Sequence, residues 1–491
     1  MTLSSATPTE GVALTATTDI TDLNGFDPAT ITFDWEMETT PGTFVLVATS
    51  PSFTPGNPQV GHALRVAARF TDFDGFAEVV RSDPSAPVLN VNQPPVGVPT
   101  LSTATPQELE PLSASTAGIS DPDGLVGVTF NFQWQQSALG GGTVFSNIAG
   151  ANQFSFTPQQ AQVNRFLRVV VSFTDNHGTA ESVTSAPTGV VGDVFVGTPD
   201  SDNYNGTAGR DNASGVGGDD ILRGNAGDDI LDGGDGDDQI FGGLGNDTIT
   251  GGNGNDAVHG DAGNDVFLFT GSQGFDFVDG GAGTDTIRAM ADNTVIGLSG
   301  TLALEAITAN GFANVTILGD AGDNSLNFAA VTLTGIVSID GDGGDDSITG
   351  GAGNDTIFGG IGNDTLTGNN GNDVIDGGAG DDMLNGNAGN DTLTGGAGND
   401  LMNGGTGLNI FKFAAGFGND TINGFGATAA RQDKLDISAM GIRAATFAAN
   451  VTIAADPAVP TDTIVTIAGN TIRLVGVAVG NVTAADFTLA P

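Results

Sequence analysis

The chain has no cysteine, three histidines, one tyrosine and two tryptophans in 491 residues. Without cysteine there is no disulfide scaffold, no thiolate zinc site and no cysteine nucleophile. His62, His177 and His259 lie far apart and no HExxH occurs, which disfavours most histidine-based chemistry. Positive charge is also scarce: 13 Lys+Arg face 58 Asp+Glu, a formal net charge of −45. Such a chain cannot neutralise phosphates, so no nucleic-acid partner is expected, nor basic docking on an anionic membrane. No apolar run approaches the roughly 18 residues of a membrane span. Glutamate is rare too, at eight of the 58 acidic residues, leaving fifty aspartates alongside 77 glycines. Aspartate and glycine favour turns, whereas glutamate favours helices, so an all-β or repeat architecture is expected.

The first ~190 residues repeat internally at a period of about 100. Phe33-Asp34-Trp35 matches Phe132-Gln133-Trp134, and Ser52-Phe53-Thr54-Pro55 matches Ser155-Phe156-Thr157-Pro158. Leu64-Arg65-Val66 and Phe70-Thr71-Asp72 recur as Leu167-Arg168-Val169 and Phe173-Thr174-Asp175. A proline-rich linker, Asn92 to Pro99, separates the two copies. Each unit reads as about seven short strands, a β-sandwich, with Trp35 or Trp134 in its core. The units resemble bacterial immunoglobulin-like modules without the disulfide. Residues 1–91 and 92–190 are assigned to them. Met1 to Ile20 lacks the basic start and apolar core of a secretory signal peptide, and a missing upstream region is expected.

From Gly197 a nine-residue period takes over. Eight repeats fill 197–268, from GTPDSDNYN to GDAGNDVFL, and eight more fill 341–412, from GDGGDDSIT to GGTGLNIFK. Position 1 is glycine throughout, position 6 is aspartate in all but one copy (Asn409), and position 8 is apolar or aromatic in every copy. Six residues suit a turn whose glycines tolerate positive φ, and three suit a minimal strand with one inward side chain. Two nonapeptides then make one coil, and the turns of repeats n and n+2 stack on one edge. Stacked turns offer carboxylate and carbonyl oxygens, a hard-ligand set that suits Ca²⁺ better than Mg²⁺, zinc or copper. An EF-hand is excluded because neither tract contains glutamate, and a P-loop because no GK[ST] occurs. A disordered linker would have no reason to keep an apolar residue at every ninth position.

The tracts closely resemble the RTX, or hemolysin-type, calcium-binding repeat, with consensus GGxGxDxUx. The resemblance implies a parallel β-roll. It also implies that Asp202, Asp211, Asp220, Asp229, Asp238, Asp247, Asp256 and Asp265 are metal ligands, with Asp346, Asp355, Asp364, Asp373, Asp382, Asp391 and Asp400 in the second tract. Pairing n with n+2 suggests about a dozen calcium ions. Asp285, in the separate repeat GGAGTDTIR at 280–288, lacks an n+2 partner in that frame and is a weak candidate.

The expected order is therefore all-β: tandem immunoglobulin-like β-sandwiches, then calcium-binding parallel β-roll solenoids. Residues 191–288 and 341–425 form the two rolls, 289–340 a calcium-free solenoid connector, and 426–491 a β cap. That tail is similar to the carboxy-terminal cap of RTX proteins, including serralysin-type proteases, in which an uncleaved signal feeds a type I exporter. The resemblance implies a Gram-negative, secreted protein that folds on reaching extracellular calcium. With no nucleophile–base pair or zinc motif, it reads as no enzyme. The expected role is a scaffold or adhesin-like surface protein, its immunoglobulin-like units free to bind a cell-surface or matrix ligand. The alternative is the non-catalytic carboxy-terminal portion of a larger secreted peroxidase, protease or lipase. A pore-forming toxin fits less well, because no amphipathic helical segment is present.

Overall fold

The alternating segments of the amino-terminal region fold as antiparallel sheets in a computed structural model that describes residues 1–139, 142–428 and 431–491. In the first copy a four-stranded sheet centres on Thr32–Thr40, paired with Thr43–Thr49 and Leu64–Thr71. A three-stranded sheet containing Leu14–Thr17 completes the sandwich. The second copy repeats the plan, with Asn131–Ser137 central to four strands and Leu112–Ser115 central to three. Trp35 and Trp134 have no exposed surface. Their indole N–H groups donate to the Ser50 and Gln153 carbonyls, each at 3.0 Å, and their rings lie 5.7 and 5.9 Å from Phe53 and Phe156. The indole is thus satisfied as well as buried, as a core tryptophan must be.

The residues divide into two units: 1–104, 111–157 and 166–188 in one, and 105–110, 158–165 and 189–491 in the other. The 190/191 boundary expected from sequence is therefore less sharp than composition suggests. Residues 105–110 and 158–165 bond to the start of the solenoid within the second unit. Gly192 N–H donates to the Pro106 carbonyl at 3.0 Å, and Val191 N–H donates to the Arg165 carbonyl at 2.9 Å. These bonds occupy backbone groups that a bare first coil would leave unpaired.

The nine-residue period becomes a parallel solenoid. Leu222 pairs with Ile240 and Ile240 with Val258, while Leu231 pairs with Ile249 and Ile249 with Phe267. Each step is two nonapeptides, so in the first tract alternate repeats build two separate sheets. All sixteen position-8 side chains are buried, from Tyr204 to Phe267 and from Ile348 to Phe411. Thr365–Thr367 and Met383–Asn385 are three-residue x-U-x strands as expected, whereas others are longer. Ile221–Ala226 and Gln239–Leu244 run on into the following turn, where Asn225 pairs with Gly243. Asn225 at φ +70° lets the strand bend without leaving the ladder.

The connector keeps coiling, but with longer steps. Thr286 pairs with Ala306, Ala306 with Thr332 and Ser325 with Ser347. Its core buries Leu298, Ile307, Ile317, Leu326 and Phe328. At the carboxy-terminal end Ile422 pairs in parallel with Leu474, and Leu435 with Phe487. The antiparallel strands Val451–Ala455, Thr463–Ile467 and Asn470–Leu474 then turn the sheet back on itself. Arg473 ties this cap together, with Asp462 at 2.7 Å and Asp456 at 3.3 Å. No helix among the described residues is long and apolar enough to cross a membrane.

Candidate metal sites

Stacking two repeats places each position-6 aspartate above the next along one edge. The backbone N–H of Asp220 donates to Asp238 Oδ1 at 2.7 Å, that of Asp238 to Asp256 at 2.8 Å, and that of Asp256 to Asp276 at 3.0 Å. The other edge runs from Asp193 through Asp211, Asp229, Asp247, Asp265 and Asp285 to Glu305. In the second tract one row joins Asn324, Asp346, Asp364, Asp382, Asp400 and Asp420. The other joins Asp355, Asp373, Asp391, Asn409 and Asp433. Asp202 N–H donates in turn to Asp220 Oδ1 at 2.7 Å, so all fifteen aspartates singled out by the repeat fall on four ladders.

One oxygen of each rung is used and the other is not. In thirteen of the fifteen, Oδ2 is buried without a hydrogen-bond partner, as it also is in Asp285 and Asp420. Asp202 and Asp211 differ. Their repeats carry threonine at position 2, and Thr198 and Thr207 donate both N–H and hydroxyl to the carboxylate. These two carboxylates are satisfied by the chain itself.

The unused oxygens face backbone carbonyls. A Cβ added to Gly215 would lie 1.9 Å from Asp220 Oδ2 and 2.5 Å from the Gly233 carbonyl oxygen. Position-1 glycine therefore leaves room where a carboxylate and a carbonyl from the next coil converge. Position-4 glycine serves stacking itself: Gly245, at φ +129°, would with a Cβ come 1.7 Å from the Gly227 carbonyl oxygen.

Burial without counter-charge has an electrostatic signature. Desolvation, opposed in part by the N–H bonds and aided by neighbouring carboxylates, pushes Asp229, Asp238, Asp247 and Asp382 up to about 7. Asp256, Asp265, Asp346 and Asp373 rise to about 6, and Asp420 to about 8. Among the described residues no three Asp, Glu or His side chains form a ready-made cage. The donor set is instead one carboxylate oxygen per rung plus carbonyls. That set fits a hard, oxygen-seeking cation, which would supply the positive charge these buried oxygens lack.

Residues 196–296 and 340–411 match the family model of the RTX calcium-binding nonapeptide repeat. These tracts are RTX calcium-binding repeats. RTX repeats bind Ca²⁺, so calcium is the cation of this solenoid. Two subunits of the Azotobacter vinelandii mannuronan C5-epimerase are similar in solved structures, at 27% and 25% identity. The matches cover 31% and 33% of this chain and 92% and 82% of theirs, each with a TM-score of 0.21. An extracellular lipase from Serratia marcescens is 20% identical over 52% of this chain and 40% of its own, with a TM-score of 0.18. No curated protein matches the chain.

The RTX ladders also extend beyond the clean period. Asp285 does have a stacking partner, because Asp265 N–H donates to its Oδ1 at 2.8 Å. The expectation that it stands alone fails because the solenoid absorbs a two-residue insertion, Phe269-Thr270. The next nonapeptide, GSQGFDFVD at 271–279, places Asp276 on the opposite ladder. Asp420 is shifted likewise and is recognisable by the Gly-Asn-Asp-Thr-Ile around it. Position 5 carries a second ladder that runs the opposite way. The N–H groups of Asn246, Asn255 and Asn363 donate to the side-chain oxygens of Asp228, Asp237 and Asp345, each 18 residues earlier. The Asn or Asp that precedes every position-6 aspartate except Asp202 and Asp211 was the available signal.

Proposed function

We propose that this chain is an extracellular, non-catalytic scaffold whose RTX solenoid folds when calcium fills the aspartate ladders. The observation that carries the reading is the row of buried, unpartnered Oδ2 atoms. Burying so many carboxylates is unfavourable unless a cation pairs with them, and no such site exists in the unfolded chain, so metal binding becomes folding energy. Asp220, Asp229, Asp238, Asp247, Asp256 and Asp265, with Asp346, Asp355, Asp364, Asp373, Asp382, Asp391 and Asp400, are the proposed ligands, completed by turn carbonyls. Asp202 and Asp211 are the weakest members of the original set, since threonine already serves them. About a dozen ions would offset roughly half the excess negative charge.

In calcium-poor cytosol the repeats would stay expanded and suited to export by a type I system, with the tail beyond residue 426 as signal. Outside, the cap would nucleate the last coil, and the amino-terminal sandwiches would be available to a surface or matrix ligand. Limited proteolysis of the full chain tests the reading. The repeats should be cleaved in chelator and resist in millimolar calcium, while the sandwiches persist in both. Equal cleavage of the repeats in both conditions would reject it.

A further inference from the structure

The first coil of the solenoid differs from the later ones. Of the sixteen position-2 residues, only Thr198 and Thr207 are threonine. In the other six repeats of the first tract position 2 has positive φ, from +66° at Asp261 to +115° at Gly252. The two threonines do not, so their turns take another path. That path aims each position-2 N–H at the aspartate of its own repeat. Thr198 N–H donates to Asp202 Oδ2 at 2.6 Å, and its hydroxyl to the same oxygen at 3.0 Å. Thr207 N–H donates to Asp211 Oδ2 at 2.6 Å, and its hydroxyl to Oδ1 at 2.9 Å. The oxygen that is idle in Asp220 and Asp229 is therefore engaged in Asp202 and Asp211.

The same coil is held by two loops that contain no nonapeptide. Residues 105–110 and 158–165 belong to one unit with it. Gln107 forms a parallel bridge with Gly192, and Glu108 N–H donates to the Gly192 carbonyl at 3.0 Å. Asn164 N–H donates to the Val191 carbonyl at 3.0 Å. Arg210, in the second repeat, donates to Gln107 Oε1 at 3.1 Å. The approach is close enough to require glycine, since a Cβ on Gly192 would lie 1.5 Å from the Arg210 carbonyl oxygen. The core closes here as well: Val191 has no exposed surface, and Phe195 stacks on Tyr204 at 4.7 Å. Asp193 supplies a rung ahead of the first repeat, its N–H donating to Asp211 Oδ1 at 2.6 Å.

The first coil of a solenoid is the hardest to form, because it has no finished neighbour, whereas each later coil adds to a template. Here the two loops supply the neighbour. Hydroxyl and amide donors, rather than an ion, meet the two carboxylates. We propose that residues 191–214, seated on 105–110 and 158–165, form a calcium-independent amino-terminal cap from which the first roll grows. The proposal rests on the reading that calcium folds the later coils, and it makes the first two repeats the exception. The ion-starved chain keeps a template beside Asp220 and Asp229, the first rungs with an idle oxygen. Growth at this end then does not wait for the carboxy-terminal cap, which lies beyond the second roll.

Hydrogen exchange read by mass spectrometry on the full chain tests the cap. In chelator, residues 192–214 should exchange at least about tenfold more slowly than residues 221–268. Calcium should then protect 221–268. Thr198→Gly combined with Thr207→Gly restores the glycine of the common repeat. In that variant the first coil should lose its protection in chelator and regain it in calcium. The calcium midpoint of 221–268 should move up, and that of 347–403 should stay. Equally fast exchange of 192–214 and 221–268 in the chelated wild type would overturn the cap. A first coil still protected in the chelated variant would overturn the role of the threonines. A midpoint that is unmoved, or that moves equally in both rolls, would overturn nucleation. Protection of 221–268 in chelator would instead overturn the calcium-folding reading itself.

Discussion

Asp220 gives its backbone N–H to Asp238 Oδ1 at 2.7 Å, while its own Oδ2 is buried with nothing to bond. Most rungs of the solenoid thus divide their two oxygens: one stacks the coil, and the other is buried without a partner. Substitutions that change one oxygen at a time separate the two.

Asp364→Asn keeps the acceptor for Asp346 N–H, now 2.8 Å away, and replaces the idle oxygen with an amide. It should leave the calcium-loaded fold intact, lower the calcium count by about one, and weaken binding at the neighbouring rungs roughly tenfold. Asp342→Asn is the control, because Asp342 is exposed and sits at φ +68°, which asparagine tolerates. Calcium titration calorimetry should find the control unchanged. Identical isotherms for both variants would contradict the ligand assignment.

The reverse change should add a site. Asn409 stands on its ladder with Oδ1 bonded to Asp391 N–H, and its Nδ2 is buried without an acceptor. An N–H there turns a positive dipole toward the place where other rungs offer an oxygen. Asn409→Asp should raise the calcium count by about one in native mass spectrometry. An unchanged count would show that this end of the ladder does not bind.

Acid should partly replace calcium. The unfolded aspartate pKa is about 3.9, whereas burial raises Asp229, Asp238, Asp247 and Asp382 to about 7 in the fold. Between those values the metal-free fold binds more protons than the unfolded chain, so its stability falls as pH rises from about 4 to 7. Below that window both states are protonated and the penalty is absent; above it the full penalty persists. The metal-stripped chain should therefore gain β structure in its repeats at pH 5.5 that it lacks at pH 8. With calcium the order should invert, because the ion needs ionised carboxylates. Metal-free β content, read by circular dichroism, that rises with pH across this range would contradict the burial account.

Gly245→Ala tests the stacking itself. It meets the Gly227 carbonyl oxygen at φ +129°, and calcium-loaded stability should drop by on the order of 3 kcal/mol or more. Gly271 has φ +71° but open space around it, so Gly271→Ala should lose only about 1 kcal/mol. Equal losses in chemical denaturation would mean that coil contact matters less than backbone strain.

Much of this was legible in the sequence because a solenoid writes its geometry as a period. A side chain buried every ninth residue, such as Leu384 or Leu393, has the same neighbours in each coil and is constrained the same way. Asp276, Asp285 and Asp420 were harder. Two inserted residues shift the linear count without shifting the stack, since a loop can bulge outward while the strands stay in register. The position-5 ladder was hidden for another reason. Asparagine and aspartate serve equally as acceptors there, so no single letter recurs.

Far-ultraviolet circular dichroism of the full chain during a calcium titration at pH 7.5 tests the central claim most directly. The account predicts a cooperative rise in β signal, from a chelated state in which the sandwiches are ordered to one in which the solenoid is formed. Identical spectra in chelator and in millimolar calcium would contradict it.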